Sequence, residues 1–121
     1  MTVRDLTQQN FDQTIQNHEV VVVDFWAKWC GPCLAFAPVM ETLSEKLTDV
    51  VFAKVNIEEE SQLAQDFNIR SIPMLMIFRR EFAVFAESGV QTAMGLEALV
   101  LQAKQVDIKM LRQQVRDQQQ P

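Results

Sequence analysis

The chain has 121 residues, 48% of them hydrophobic and 22% charged, with a formal net charge of −5. That is the size and balance of one globular domain, large enough to form a core without cross-links. The acidic surplus argues against non-specific nucleic-acid binding, which needs a basic surface, and no run approaches the roughly 20 apolar residues of a membrane span.

The opening Met1-Thr2-Val3-Arg4-Asp5-Leu6 carries no apolar signal region, so a cytoplasmic location is expected. Val3 to Leu6 can form an edge strand. Thr7 reads as the N-cap of a short helix over Gln8 to Gln16, with Phe11 and Ile15 on one face. Asn17-His18-Glu19 is a polar break. Val20 to Phe25 is short, β-branched and apolar except for Asp24, which predicts a strand covered on both faces. Cys33, Phe36, Ala37, Met40, Leu43 and Leu47 then fall at three- and four-residue steps, one face of a helix of about four turns. Pro32 suits its first turn, where a missing N–H costs little. Pro38 lies inside it and predicts a kink.

Val50 to Ile57 reads as a second buried strand and Glu58 to Asn68 as a short helix. Met74 to Phe78 and Phe82 to Glu87 are two further strands, close enough to pair as a hairpin. Their connection, Arg79-Arg80-Glu81, lacks the Gly or Asn that tight hairpins favour. Gly89 ends the last strand, and Leu96, Leu99, Val100, Ala103 and Val106 continue a helical pattern. A βαβ unit followed by a ββα unit predicts an α/β fold, a central mixed sheet with helices on both faces. Residues 1–106 form the expected domain. Residues 107–121 form a polar C-terminal helical extension or tail, with Ile108, Leu111 and Val115 on one face.

The chemistry concentrates in Trp29-Cys30-Gly31-Pro32-Cys33, which holds the only two cysteines. A disulfide across C-x-x-C closes a very short loop and removes little unfolded-state entropy, so stabilisation explains it poorly. The pair lies where a strand hands over to a helix. A helix N-terminus carries about half a positive charge and unpaired N–H groups, and a thiol there ionises readily to the reactive thiolate. The pattern therefore reads as a dithiol–disulfide exchange site. Structural zinc wants four ligands, and only His18 could join the two sulfurs as a third Cys or His. A cysteine protease needs a histidine base, and His18 sits in a loop ahead of the strand.

The segment from Val23 to Cys33, Val-Asp-Phe-Trp-Ala-Lys-Trp-Cys-Gly-Pro-Cys, closely resembles the active-site signature of the thioredoxin family. The resemblance continues through Ala53-Lys54-Val55-Asn56-Ile57 and Ile69-Arg70-Ser71-Ile72-Pro73 and ends near Gly89 and the helix that follows. It implies a thioredoxin fold and a protein-disulfide reductase working through a mixed disulfide. Cys30 would attack and Cys33 would resolve, with Cys33 the more buried of the two. Gly31 and Pro32 would set the turn between the sulfurs, and Trp29 would shield them and offer partners a flat apolar surface. Asp24, buried and raised in pKa, would exchange protons with Cys33, with Lys54 beside it. Pro73 would be cis, leaving the Ile72 backbone to pair with an extended substrate, and Gly89 would let that backbone approach.

The same resemblance implies no cofactor beyond the Cys30–Cys33 disulfide. It implies disulfide-containing substrate proteins, recharging by a thioredoxin-reductase-like enzyme, and a monomer. Leu34 and Met74 depart from the family's usual basic residue and threonine, and with Phe36 they could make the mouth of the site more apolar. Two other readings of the same groove stay open: a specialised oxidant or isomerase, and a holdase that binds without turnover.

Overall fold

A computed structural model describes residues 2–119. The elements follow in the order β1 (Val3–Asp5), α1 (Phe11–Asn17), β2 (Val20–Trp26), α2 (Gly31–Lys46), β3 (Val51–Asn56), α3 (Ser61–Asp66), β4 (Met74–Arg79), β5 (Phe82–Ser88), α4 (Ala93–Lys104) and α5 (Ile108–Gln119). The five strands form one sheet in the order β1-β3-β2-β4-β5. The pairs β1–β3 and β2–β3 are parallel, and β2–β4 and β4–β5 are antiparallel. This is the mixed sheet expected, with β2 at its centre.

Strand alternation builds two cores. On one face Val20, Val22, Phe52, Leu75 and Ile77 pack with Phe36, Met40 and Leu43 of α2 and Leu96, Val100 and Ala103 of α4. On the other, Val21, Val23, Phe25, Ala53, Val55, Met76 and Phe78 pack with Phe11, Ile15 and Leu63. Val20 to Phe25 is buried throughout because helices cover both sides of it. Asp24 shares the even-numbered face of β2 with Val20 and Val22, and so lies on the side covered by α2.

Local polar groups explain where the elements begin. Helix α1 starts at Phe11, not Gln8, with Asn10 rather than Thr7 as its N-cap. The Asn10 side chain accepts the Thr7 N–H at 2.8 Å and holds the preceding residues in a turn. Helix α3 is shorter than its sequence pattern, because Asn56 Oδ1 accepts the N–H groups of Glu58 and Glu59 and delays the helix to Ser61. Helix α4 starts at Ala93, where Thr92 Oγ1 accepts the Gly95 N–H at 3.0 Å. Pro38 lies within α2, a continuous helix of 16 residues.

The β4–β5 hairpin turns without glycine: Arg80 takes φ 56°. Its N–H donates to the Glu19 carbonyl at 2.8 Å and its guanidinium lies 3.7 Å from the Glu19 carboxylate. Those two ties offset the cost of a left-handed conformation in a residue with a Cβ. The expected C-terminal helix is present as a separate element. Helix α4 stops at Lys104, and Asp107 Oδ1 accepts the N–H groups of Lys109 and Met110 to start α5. Helix α5 buries none of its described residues. Gln120 and Pro121, the end of the expected extension, lie outside the described residues. Among those residues, no helix is long and apolar enough to cross a membrane.

Candidate active site

Strand β2 ends at Trp26 and the chain turns through Ala27 to Trp29 into α2. Cys30 is the N-cap of that helix. Cys30 and Cys33 are joined by a disulfide with a Cα–Cα distance of 5.2 Å. The Cys33 backbone N–H donates to Cys30 Sγ at 3.2 Å. One of the free N–H groups of the helix start is therefore aimed at the first sulfur, where it favours negative charge. The second sulfur faces inward on the same turn.

Cys33 is 2% exposed and Cys30 5%. Cys33 is the deeper, as expected, but Cys30 is scarcely more open in this oxidised state. Ala27 is buried against the pair, with Trp26, Ile57 and Ile72 packed around them. Trp29 gives most of its surface to solvent, 68% exposed, and so offers an apolar face beside the sulfurs. Gly31 and Pro32 form the first turn of α2. Gly31 does not take a positive φ, and a Cβ placed on it would meet nothing within 4 Å, so space and backbone conformation do not require glycine there.

The Ile72–Pro73 peptide is cis. The Ile72 carbonyl oxygen lies 3.9 Å from Cys30 Sγ, and Pro73 is buried beside it. Gly89 donates its N–H to the Pro73 carbonyl at 2.9 Å and takes φ 110°. Glycine is needed at that φ, and a Cβ there would meet nothing within 4 Å. Cys30, Ile72, Pro73 and Gly89 thus meet at one surface. Leu34 is 54% exposed and Met74 is half-buried, whereas Phe36 is wholly buried in the core with α4. Phe36 does not reach the mouth of the site. It lies on the same helical stripe as Met40 and Leu43, which the sheet covers.

The other side of the disulfide is a cavity of about 170 Å³, to which Cys33, Asp24, Trp26 and Lys54 all contribute. Asp24 is 4% exposed. Burial pushes its carboxyl from 3.8 up to about 7, and the nearby Lys54 charge only partly offsets that. Its Oδ1 has no hydrogen-bond partner among the described residues, and neither does Trp26 Nε1. The strand register sets Lys54 opposite Asp24 on one side and Asp5 on the other. The Lys54 ammonium lies 3.9 Å from the Asp5 carboxylate and 5.1 Å from the centre of the Trp26 ring. It is thus a charge near Asp24 whose ion-pair partner is Asp5.

Trp26 and Ile57 carried no assigned role in the sequence. Their signal is positional: each sits at or just past the end of a strand paired beside the cysteine turn. Among the described residues no cluster of His, Cys, Asp and Glu could hold a metal ion.

The thioredoxin family model matches residues 2–102. A protein of Streptomyces coelicolor named "Putative thioredoxin 2" is 47% identical over 115 residues, covering 95% of this chain and 86% of its own. A thioredoxin of Alicyclobacillus acidocaldarius is 45% identical over 94 residues, covering 77% of this chain and 90% of its own. Among solved structures, a point mutant of Halobacterium salinarum thioredoxin superposes with a TM-score of 0.79 at 32% identity, over 86% of this chain and 92% of that one. Plasmodium falciparum thioredoxin gives 0.76 at 36% identity, over 83% and 98%.

Proposed function

Because this chain belongs to the thioredoxin family, and is thereby a thiol–disulfide oxidoreductase that reduces protein disulfides, we propose a division of labour among its site residues. Cys30 is the attacking sulfur. Its thiolate attacks one sulfur of a substrate disulfide, forms a mixed disulfide, and expels the other substrate sulfur as a thiolate that takes up a proton. Cys33 then gives its proton to Asp24 through the shared cavity and attacks Cys30 Sγ. The second substrate sulfur leaves, and Cys30–Cys33 is left oxidised. Two electrons and two protons from a reductase restore the dithiol. No cofactor beyond the disulfide takes part.

Substrate lies on the Trp29, Gly31, Pro32, Ile72, Pro73 and Gly89 side, in extended form, pairing with the Ile72 backbone. Lys54 tunes Asp24 by its charge. The working unit is residues 1–106, a cytoplasmic monomer that binds neither nucleic acid nor membrane, and residues 107–121 are an appended polar helical extension or tail.

The observation that carries this reading is the Cys33 N–H donating to Cys30 Sγ at 3.2 Å at the start of a 16-residue helix. It distinguishes the two sulfurs electrostatically. The test is alkylation of the reduced protein across pH. Cys30 should react as a thiolate with a pKa below the ordinary value of about 8.5. Reactivity at pH 7 no greater than that of free cysteine would sink the assignment. A Cys33→Ser variant should hold substrate proteins as mixed disulfides that survive denaturation and dissolve in reductant. A binding module without turnover would release them on denaturation.

A further inference from the structure

The outward face of α2 changes character partway along. Gly31, Leu34, Ala35, Pro38, Thr42 and Glu45 fall at three- and four-residue steps or side by side, and so share the side turned from the core. At Thr42 and Glu45 that side is ordinary for a surface helix, exposed and polar. Ahead of them Gly31, Pro32, Leu34, Ala35, Ala37 and Pro38 are all exposed, and none has a polar side chain. From Trp29 to Met40 the chain holds no charged residue. Leu34 leaves 54% of its surface open and Trp29 68%. The bare stretch begins at the attacking sulfur. Cys30 caps the helix, and one turn on the Leu34 N–H donates to the Cys30 carbonyl at 3.1 Å. An exposed apolar patch rimmed by polar residues, here Lys28 and Thr42, marks a contact surface.

We propose that this half of α2 seats the substrate chain beside its disulfide, and that it selects disulfides flanked by large apolar side chains. Such segments are buried in folded proteins and come within reach when the substrate unfolds. The patch continues the Trp29 side of the exchange site, so its occupant is the chain that brings the attacked sulfur to Cys30. One arm of that chain pairs with the Ile72 backbone, and the other runs over α2. The patch offers no charge to an ionic partner, and a second copy seated on it would cover Cys30 and stop the exchange. From Cys30 to Pro38 the helix rises about 12 Å, which an extended chain spans in about four residues. The selected side chains therefore lie within about four residues of the substrate cysteine. Leu34, Ala35 and Pro38 determine specificity through contact with that arm. The preference rests on the reading of Cys30 as the attacking sulfur.

The probes are two synthetic disulfide-linked peptides of equal length and charge. One carries Leu and Phe within about four residues of its cysteine, the other Ser and Gln at the same positions. The full-length chain is recharged with dithiothreitol, so no reductase enters the assay. The apolar peptide should show a kcat/KM about tenfold higher, with the difference in KM. Leu34→Gln and Ala35→Glu should each cut that ratio to about threefold or less. Ala35→Glu makes the test independent of the cavity that Leu34 lines. Thr42→Gln, on the polar part of the same face, should keep the ratio of the native chain. Equal kcat/KM for the two peptides, or a ratio that both patch variants leave intact, would overturn the preference while the exchange reading stands. If neither peptide is reduced, the exchange reading falls and takes the preference with it. Sedimentation should show one monomeric species at every concentration. A dimer that Ala35→Glu dissolves would give the patch to a second copy and overturn its assignment to substrate.

Discussion

Replacing Asp24 by Asn should make the protein more stable, and by an amount set by pH. In the folded chain burial holds the carboxyl at about 7, against 3.8 when it is free in water. The folded pKa is raised, so the unfolded state ionises first as pH increases. Below about pH 4 both states hold the proton and the group contributes nothing. Between about 4 and 7 the unfolded chain has lost its proton and the folded chain has not, so stability falls by about 1.4 kcal/mol per pH unit. Above about 7 both are ionised and the whole penalty, about 4 kcal/mol, is in force. Asparagine has nearly the same shape and does not titrate. The difference in unfolding free energy between Asp24→Asn and the native chain should therefore be small near pH 4, climb through neutrality and level off by about pH 8. Urea melts of the oxidised forms measure it without interference from thiol ionisation. A difference that stays flat from about pH 4.5 to 8.5 would refute the claim that Asp24 is buried without adequate compensation.

Gly89→Ala should cost about 1–3 kcal/mol in urea melts; its φ of 110° supplies the strain, since the added methyl meets nothing within 4 Å. Gly31→Ala, with neither constraint, should stay within about 0.5 kcal/mol of the native chain. Leu96→Ala removes a fully buried side chain between α4 and the sheet and should cost about 2–5 kcal/mol, read as a lower denaturation midpoint at unchanged slope. Stopping the chain after Asp107 removes a helix with no buried residue; unfolding free energy should move by less than about 0.5 kcal/mol, and insulin reduction should continue at the native rate.

The sheet was legible because its strands are apolar runs bounded by polar breaks, and burial on both faces writes itself as Val20-Val21-Val22-Val23. The site was legible because Cys30, Cys33, Asp24 and Pro73 sit in a signature whose order the fold preserves. Element starts were not, since they depend on single side chains that cap or refuse to cap. Asn10 reaches back to Thr7, and Asn56 takes two N–H groups that a helix starting at Glu58 would have left free. The glycine-free turn at Arg80 is a tertiary effect: Glu19, far back in the chain, supplies both ties. The pairing of Lys54 with Asp5 was hidden for the same reason. It needs β1 and β2 to flank β3 on opposite sides, and only the register reveals that Asp5, Lys54 and Asp24 share one row.

On the proposed role of Asp24 as proton acceptor for Cys33, its burial also sets the size of the proton-transfer step. Moving a proton from a thiol at about 8.5 to a carboxyl at its ordinary value, near 3.8, is uphill by about 6 kcal/mol. Moving it to a carboxyl held at about 7 is uphill by about 2 kcal/mol. The gain, about 4 kcal/mol, is the same quantity that the fold loses above neutral pH, because both are the one shift in proton affinity seen from two sides. Stability and basicity at Asp24 therefore cannot be adjusted independently. A substitution that wets the cavity, such as Met40→Ser, should lower the Asp24 pKa and recover part of that penalty at about pH 8, while slowing resolution by Cys33. Tracking the Asp24 carboxyl by NMR titration beside single-turnover kinetics tests the linkage directly. A lowered pKa with resolution as fast as in the native chain would break it.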